Sequence, residues 1–146
     1  MENMARYETT VGSSIAPEEA FAFMADFSNS PRWDPNTSRA TRVDAGPLVV
    51  GSSFDLVTAF GGREIELRYT IVEHDPPRRV VLRAEQPRYT SLDTITVEPA
   101  ASGSTVHYDA RLAFHGAARL LDPVMHLLFQ RIGKRADAGM RVALNP

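Results

Sequence analysis

The run Ser91-Leu92-Asp93-Thr94-Ile95-Thr96-Val97 raises the chemical question of this chain. Alternation puts Ser91, Asp93, Ile95 and Val97 on one face of a strand. Ile95 and Val97 identify that face as the buried one, so a carboxylate shares it. A carboxylate withdrawn from water takes a partner or holds its proton to higher pH. Asp93 is therefore a candidate general acid/base, or a group that orients a ligand. The competing reading leaves it at the mouth of the fold, solvated or paired with Arg83 or Arg111. Tyr69 and Tyr108 also alternate with apolar neighbours. Each phenol either donates a hydrogen bond to a ligand carbonyl or is a core aromatic with a satisfied hydroxyl.

Other chemistries lack their residues. There is no cysteine, which removes disulfides, thiol nucleophiles, iron–sulfur clusters and cysteine-ligated zinc. The histidines are His74, His107, His115 and His126. None stands three or four residues from another beside a carboxylate, so no metal site is expected. His74 falls next to the Asp75-Pro76-Pro77 turn, His107 faces outward by alternation, and His126 lies beside a helical apolar stripe. His115, at a strand–helix junction, and His126 are the two histidines that remain as candidate bases. No nucleophile elbow, phosphate-binding glycine loop or dinucleotide fingerprint is present, and no cofactor is expected.

The elements that would position these side chains are mostly strands. Alternating, β-branched stretches cover 5–13, 36–44, 52–60, 63–74, 79–85, 90–98 and 104–114. Gly61-Gly62 is a hairpin turn, Asp75-Pro76-Pro77 another. After the first strand, Pro17, Glu18 and Glu19 open a short helix that ends near Phe27. Pro31 and Pro35 allow only a helical turn and a loop around Trp33, the single tryptophan. Trp33 reads as a core plug closing one end, or as a ligand contact. From Gly116 to Asn145 the spacing of Leu121, Val124, Met125, Leu128, Ile132 and Met140 predicts a long helix. Asp122-Pro123 resembles an N-cap with proline at the first helical position. The helix then begins at Pro123, and 117–121 forms a separate turn, a possible gate. Strands joined by short turns run antiparallel, and a twisted antiparallel sheet curls around one long helix. The fold class is α+β, with the long helix in the concave face of seven strands.

At 146 residues the chain makes one domain, 1–146, with a proper core. A net charge of −2 gives no electrostatic case for nucleic acid. The apolar stretch 120–129 is too short for stable membrane insertion, and the N-terminus has no signal-peptide core. The expected location is the cytoplasm, as a monomer or homodimer. Lys134 is the single lysine against many arginines, a composition that fits a high-GC coding bias.

Several segments resemble one family. They are Ile15-Ala16-Pro17-Glu18-Glu19-Ala20-Phe21, Asp26-Phe27 through Arg32-Trp33, Tyr69-Thr70-Ile71-Val72-Glu73-His74-Asp75-Pro76-Pro77-Arg78, and Asp93-Thr94-Ile95-Thr96-Val97-Glu98-Pro99. In order and spacing the chain is similar to the START-like superfamily (SRPBCC, Bet v 1-like). Its nearest branch is the polyketide cyclase/dehydrase and lipid-transport group. The resemblance implies the helix-grip fold, β-α-α-β6-α, with a cavity between sheet and long helix for an apolar or amphipathic molecule. Inner-face parity and the helix spacing then give the expected wall: Trp33, Phe54, Thr58, Leu67, Tyr69, Leu82, Ala84, Ser91, Asp93, Val106, Tyr108, Ala110, Met125, Phe129 and Ile132. Three functions stay open at this point. One is a noncatalytic binder or carrier of a lipid, polyketide or aromatic metabolite. Another is a cyclase or dehydratase moving a proton through Asp93, Tyr69 or Tyr108. The third is a protein-interaction module, for which no exposed aromatic or charged cluster speaks.

Overall fold

A computed structural model describes residues 4–146, apart from the side chains of Arg119, Leu121 and Asp122. The order is β1 (Met4–Ser13), α1 (Pro17–Ala25), a 3-10 helix (Phe27–Arg32), β2 (Thr37–Arg42), β3 (Ser53–Phe60), β4 (Arg63–Asp75), β5 (Arg79–Glu85), β6 (Tyr89–Ala100), β7 (Gly103–Phe114), a second 3-10 helix (Gly116–Leu121) and α2 (Asp122–Ala143). The seven strands form one antiparallel sheet in the order β1-β7-β6-β5-β4-β3-β2. Strand β1 thus lies on one edge and hands the chain, through α1 and the first 3-10 helix, to β2 on the other. Hairpins bring it back until β7 pairs with β1. Gly61 and Gly62 hold φ of 60° and 80° in the β3–β4 hairpin, a backbone that residues with a Cβ rarely adopt.

Helix α1 starts without a side-chain cap, but with proline in its first turn and Glu18 and Glu19 at its positive end. Its Phe21 and Met24 face β6 and β7, filling one end of the sheet's concave side. There Val11, Ile71, Val80, Leu82, Ile95, Val97 and Val106 are fully buried. Each such side chain contributes roughly 1.5–3 kcal/mol relative to exposure.

The second 3-10 helix and α2 divide where Pro123 predicts, one residue earlier than expected. The Asp122 cap and the Leu121 contact lie outside the described side chains. The expected stripe of α2 is largely met, with Met140 buried and Met125, Leu128 and Ile132 half-buried, and Val124 departs from it. Phe129, Ala136, Met140 and Leu144 are buried, whereas Val124 is 64% exposed. The later turns of the helix pack closely against Tyr7 and Trp33. Two glycines permit that packing. A Cβ on Gly133 would lie 2.1 Å from the Tyr7 ring, and one on Gly139 would lie 1.9 Å from the Trp33 carbonyl oxygen. The helix end is tied to β1 through Ser13 Oγ, which donates to the Leu144 carbonyl at 2.9 Å, and Asn145 Nδ2, which donates to the Gly12 carbonyl. No helix among the described residues is long and apolar enough to cross a membrane.

Candidate functional site

Along β6 the inner-face residues pass from the rim to the core in steps of two. Tyr89 is at the rim, Ser91 and Asp93 follow, and Ile95 and Val97 are in the solid core. At about 3.4 Å per residue Asp93 sits roughly 13 Å in from Tyr89. Between this stretch and the first turns of α2 lies a cavity of about 680 Å³, within the range typical of small-molecule sites. Its wall is mostly apolar, with Leu56, Ile65, Leu67, Leu112, Phe114, Met125, Phe129 and Ile132 among the contributors.

Four of the polar residues on the wall form two adjoining pairs. The Tyr108 hydroxyl donates to Asp93 Oδ2 at 2.7 Å, a diagonal contact across the β6–β7 ladder, in which Asp93 opposes Ala110. Tyr69 and Ser91 share a hydrogen bond at 2.7 Å between their hydroxyl oxygens. That bond spans β5, whose residue opposite Ser91 is Ala84. A methyl group there leaves the phenol room to reach across. Asp93 is only 4% exposed, and burial pushes its carboxyl up to about 7, against the opposing effect of the Tyr108 hydrogen bond. Asp34 and Asp109 add smaller repulsions in the same upward direction. Burial, with the Asp93 charge next in size, also raises both phenols well above their ordinary value, so Tyr69 and Tyr108 are proton donors near neutrality.

The aromatic frame fixes these groups. Phe27 meets Tyr69 edge-on at 5.2 Å between centroids, and Trp33 meets Tyr108 edge-on at 5.6 Å. Edge-to-face contacts of this kind add about 0.5–1.5 kcal/mol and restrict ring rotation. Trp33 is 2% exposed and also contributes to the wall, so plug and ligand contact are not exclusive. Its indole N–H is the one buried side-chain polar atom among the described residues without a hydrogen-bond partner.

Of the residues expected on the wall, Trp33, Thr58, Leu67, Tyr69, Ser91, Asp93, Tyr108, Ala110, Met125, Phe129 and Ile132 line the cavity. Phe54, Leu82, Ala84 and Val106 do not. They are on the inner face but fully buried, Phe54 behind Phe27 and Val106 in the filled end. Asp93 is not at the mouth and meets no arginine there: Arg83 pairs with Glu85, and Arg111 with Asp109. His115 stands at the rim, 2.7 Å from Thr90 Oγ1, while His74 packs against Phe21.

Asp34 is the notable wall residue that alternation does not reveal, because it sits in a loop. Its Oδ1 accepts from the Asn36 backbone N–H and side-chain amide at 2.9 Å, and its Oδ2 from Thr37 Oγ1 at 2.9 Å. Asp34-Pro35-Asn36 is an Asx turn, a local signal visible in the sequence. Burial raises the Asp34 carboxyl above its ordinary value, offset in part by these donors. On the outer face, Glu8, His107 and Asp109 bring ligand-type atoms within 4.8 Å of one another across β1 and β7. Arg6 bridges Glu8 and Asp109, and Arg111 also binds Asp109, so arginines already neutralise that cluster.

Comparison with known proteins follows this geometry. A START superfamily protein from Mycobacterium smegmatis matches with a TM-score of 0.75 and 11% identity, over 97% of this chain and 96% of that one. The Zhui aromatase/cyclase from Streptomyces sp. R1128 matches with a TM-score of 0.75 and 13% identity, over 97% and 91%. A ginseng major latex-like protein from Panax ginseng gives 0.71 and 12%, over 98% and 99%. At such identities the likeness establishes the fold, a helix-grip sheet around its C-terminal helix. No curated protein matches the chain significantly by sequence. The family model for polyketide cyclase/dehydrase and lipid transport spans residues 4–142, and the chain belongs to that family.

Proposed function

We propose that the protein binds a hydrophobic or amphipathic small molecule, such as a lipid, polyketide or aromatic metabolite, in the cavity between sheet and α2. The observation that carries this reading is an apolar hollow of about 680 Å³ with one compact, buried polar cluster in its wall. Apolar area supplies affinity, and a few fixed polar groups supply orientation. The second 3-10 helix, with Ala117, Ala118 and Leu120 on the wall, is the segment that would open to admit the molecule. In this reading residues 1–146 act as one cytoplasmic, bacterial ligand-binding domain, monomeric or homodimeric.

Native mass spectrometry of freshly purified protein tests the reading. A retained small molecule, or a rise in Tm with apolar aromatic compounds, is the expected result. A chain that carries nothing and is stabilised by no member of a broad lipid and aromatic panel would refute it.

A second reading has its own observation. Asp93, with a carboxyl at about 7 and a phenol 2.7 Å away, is suited to taking and returning a proton α to a carbonyl. That is acid/base chemistry a cyclase or dehydratase would use, and the Streptomyces neighbour is named an aromatase/cyclase. Asp93→Asn separates the two. Turnover of a polyketide-like substrate lost with affinity retained identifies an enzyme; no turnover in either form identifies a carrier.

A further inference from the structure

We infer that the cavity selects its occupant by the polar group at its inner end: a neutral molecule with a hydrogen-bond-donating hydroxyl or amine is accepted, and a carboxylate is rejected. This rests on the cavity-binding reading and adds the chemistry of the head group. The inference follows from an inventory of donors and acceptors on the wall. Asp93 Oδ2 already receives the Tyr108 proton, which leaves Oδ1 as an acceptor with no partner among the described residues. The Tyr108 oxygen keeps a lone pair for the same purpose. Tyr69 and Ser91 spend one hydroxyl proton on each other, so one remains for a ligand oxygen. The Asp34 oxygens are held by Asn36 and Thr37, Ser30 Oγ donates to the Phe27 carbonyl, Thr37 and Thr58 meet each other, and the unpartnered Trp33 indole N–H is itself covered and out of a ligand's reach.

The inner wall thus presents one carboxyl group for a ligand donor and a second, Asp34, that adds negative charge. Among the described wall residues the only arginine is Arg88, which is exposed at the rim, as is His115. No described cation balances Asp93 at depth. A ligand carboxylate brought in beside it would meet like charge without compensation, which is costly in a desolvated site. A hydroxyl at the same point donates to Asp93 and accepts from the Tyr69–Ser91 pair. The ether of that hydroxyl keeps the shape and loses the donor. The selecting group is therefore Asp93, and the positioning groups are Tyr108, through its hydrogen bond, and Ala84, through the space it leaves.

The test uses three rigid probes with their polar group at one ring position: naphthol, its methyl ether and naphthoate. Binding at pH 8 is read by fluorescence of the single tryptophan, Trp33, and by calorimetry. The expected order is naphthol tightest, the ether about tenfold weaker and naphthoate weaker still, since one charge-assisted hydrogen bond corresponds to roughly a factor of ten or more. Asp93→Asn should bring naphthoate to within about threefold of naphthol. In the unaltered protein, lowering the pH from 8 to about 5.5 protonates Asp93 and should narrow the gap between naphthoate and naphthol, which keeps the test open if Asp93→Asn does not fold. Naphthoate binding as tightly as naphthol to the unaltered protein overturns the inference while the cavity reading stands. A gap that does not narrow between pH 8 and about 5.5 overturns it too, by showing that Asp93 is not the group naphthoate meets. Failure of all three probes to bind refutes the inference together with the cavity reading.

Discussion

The two halves of α2 meet the sheet in opposite ways. Beyond Ala136 the helix is packed against its surroundings: Met140 is fully buried, as is Leu144 just past its end. Before Gln130 it roofs the cavity with Met125 and Phe129 and turns Val124 (64% exposed) and Leu127 (61%) outward. The sequence reason is side-chain size. Gly133 and Gly139 let backbone approach ring and carbonyl, and Tyr7 and Trp33 become the anvil against which the helix is fixed. One end of the interior is thereby packed solid. The other is held open by a helix that cannot descend, because its later turns and Phe129 set its height. A hollow in a small domain needs such a rigid lever, since unsupported apolar voids collapse or destabilise.

The sharpest way to break this contrast is Gly139→Ala. The new methyl would meet the Trp33 carbonyl, backbone that cannot rotate away. Overpacking of this kind costs about 3 kcal/mol or more, and the helix would have to lift off both Trp33 and Tyr7. Denaturant unfolding should show a loss of that size. Wild-type stability in Gly139→Ala would mean the helix is not pinned there.

Next in size is the pH response of the hollow end. The Asp93 carboxyl is raised from 3.8 to about 7 in the folded protein. Between those values the folded state binds more protons than the unfolded one. Stability contributed by the protonated group is therefore full below pH 3.8 and falls as pH rises through 7. The loss is on the order of 4 kcal/mol across that window. Asp93→Asn should flatten that part of the stability curve and make the variant the more stable form at pH 8. Parallel curves for the two proteins would show that Asp93 is not desolvated. Asp55, Asp109 and Asp137 act in the other direction: burial raises Asp109 and Asp137, but hydrogen bonds and charge from their arginine partners, with Thr9 at Asp137, outweigh it, and Arg68 lowers Asp55, so their contribution is lost only as pH falls below the ordinary aspartate range.

This pair of regions also shows what a sequence reveals. Alternation marks Ser91, Asp93, Tyr108 and Leu67 as inward, because the two-residue period of a strand is geometric and independent of the rest of the chain. Pro123 marks the break before α2 for an equally local reason. Depth along a strand is not local. Leu82 and Ala84 share the inner face with the wall residues, yet they belong to the filled core, because what lies opposite each level of the sheet depends on α1, the loop around Trp33 and the height of α2. The outward turn of Val124 is missed for the same reason. Val124 fits an apolar spacing, but Gly139 against Trp33 decides which face turns inward. Asp34 escapes alternation because loops have no period; its Asx turn is the one local sign.

The smallest expected effect tests the outward side of the roof. Leu127 and Val124 contribute little buried area, so Leu127→Ser and Val124→Ser should each change stability by no more than about 0.5 kcal/mol. Phe129→Ala, two residues from Leu127, removes a buried ring, 8% exposed, from the cavity wall. The usual cost of deleting a core phenylalanine is about 3–5 kcal/mol. Here one side of the ring faces a hollow, and contacts never made are not lost, so the cost should fall toward or below the low end of that range. Thermal unfolding of the three variants checks both statements. If Leu127→Ser were as damaging as Phe129→Ala, Leu127 would be buried in solution, and the helix would sit rotated from the orientation that makes this half a roof. If Phe129→Ala cost a full core residue's worth, the ring would be packed on all sides and the space beneath it would be filled.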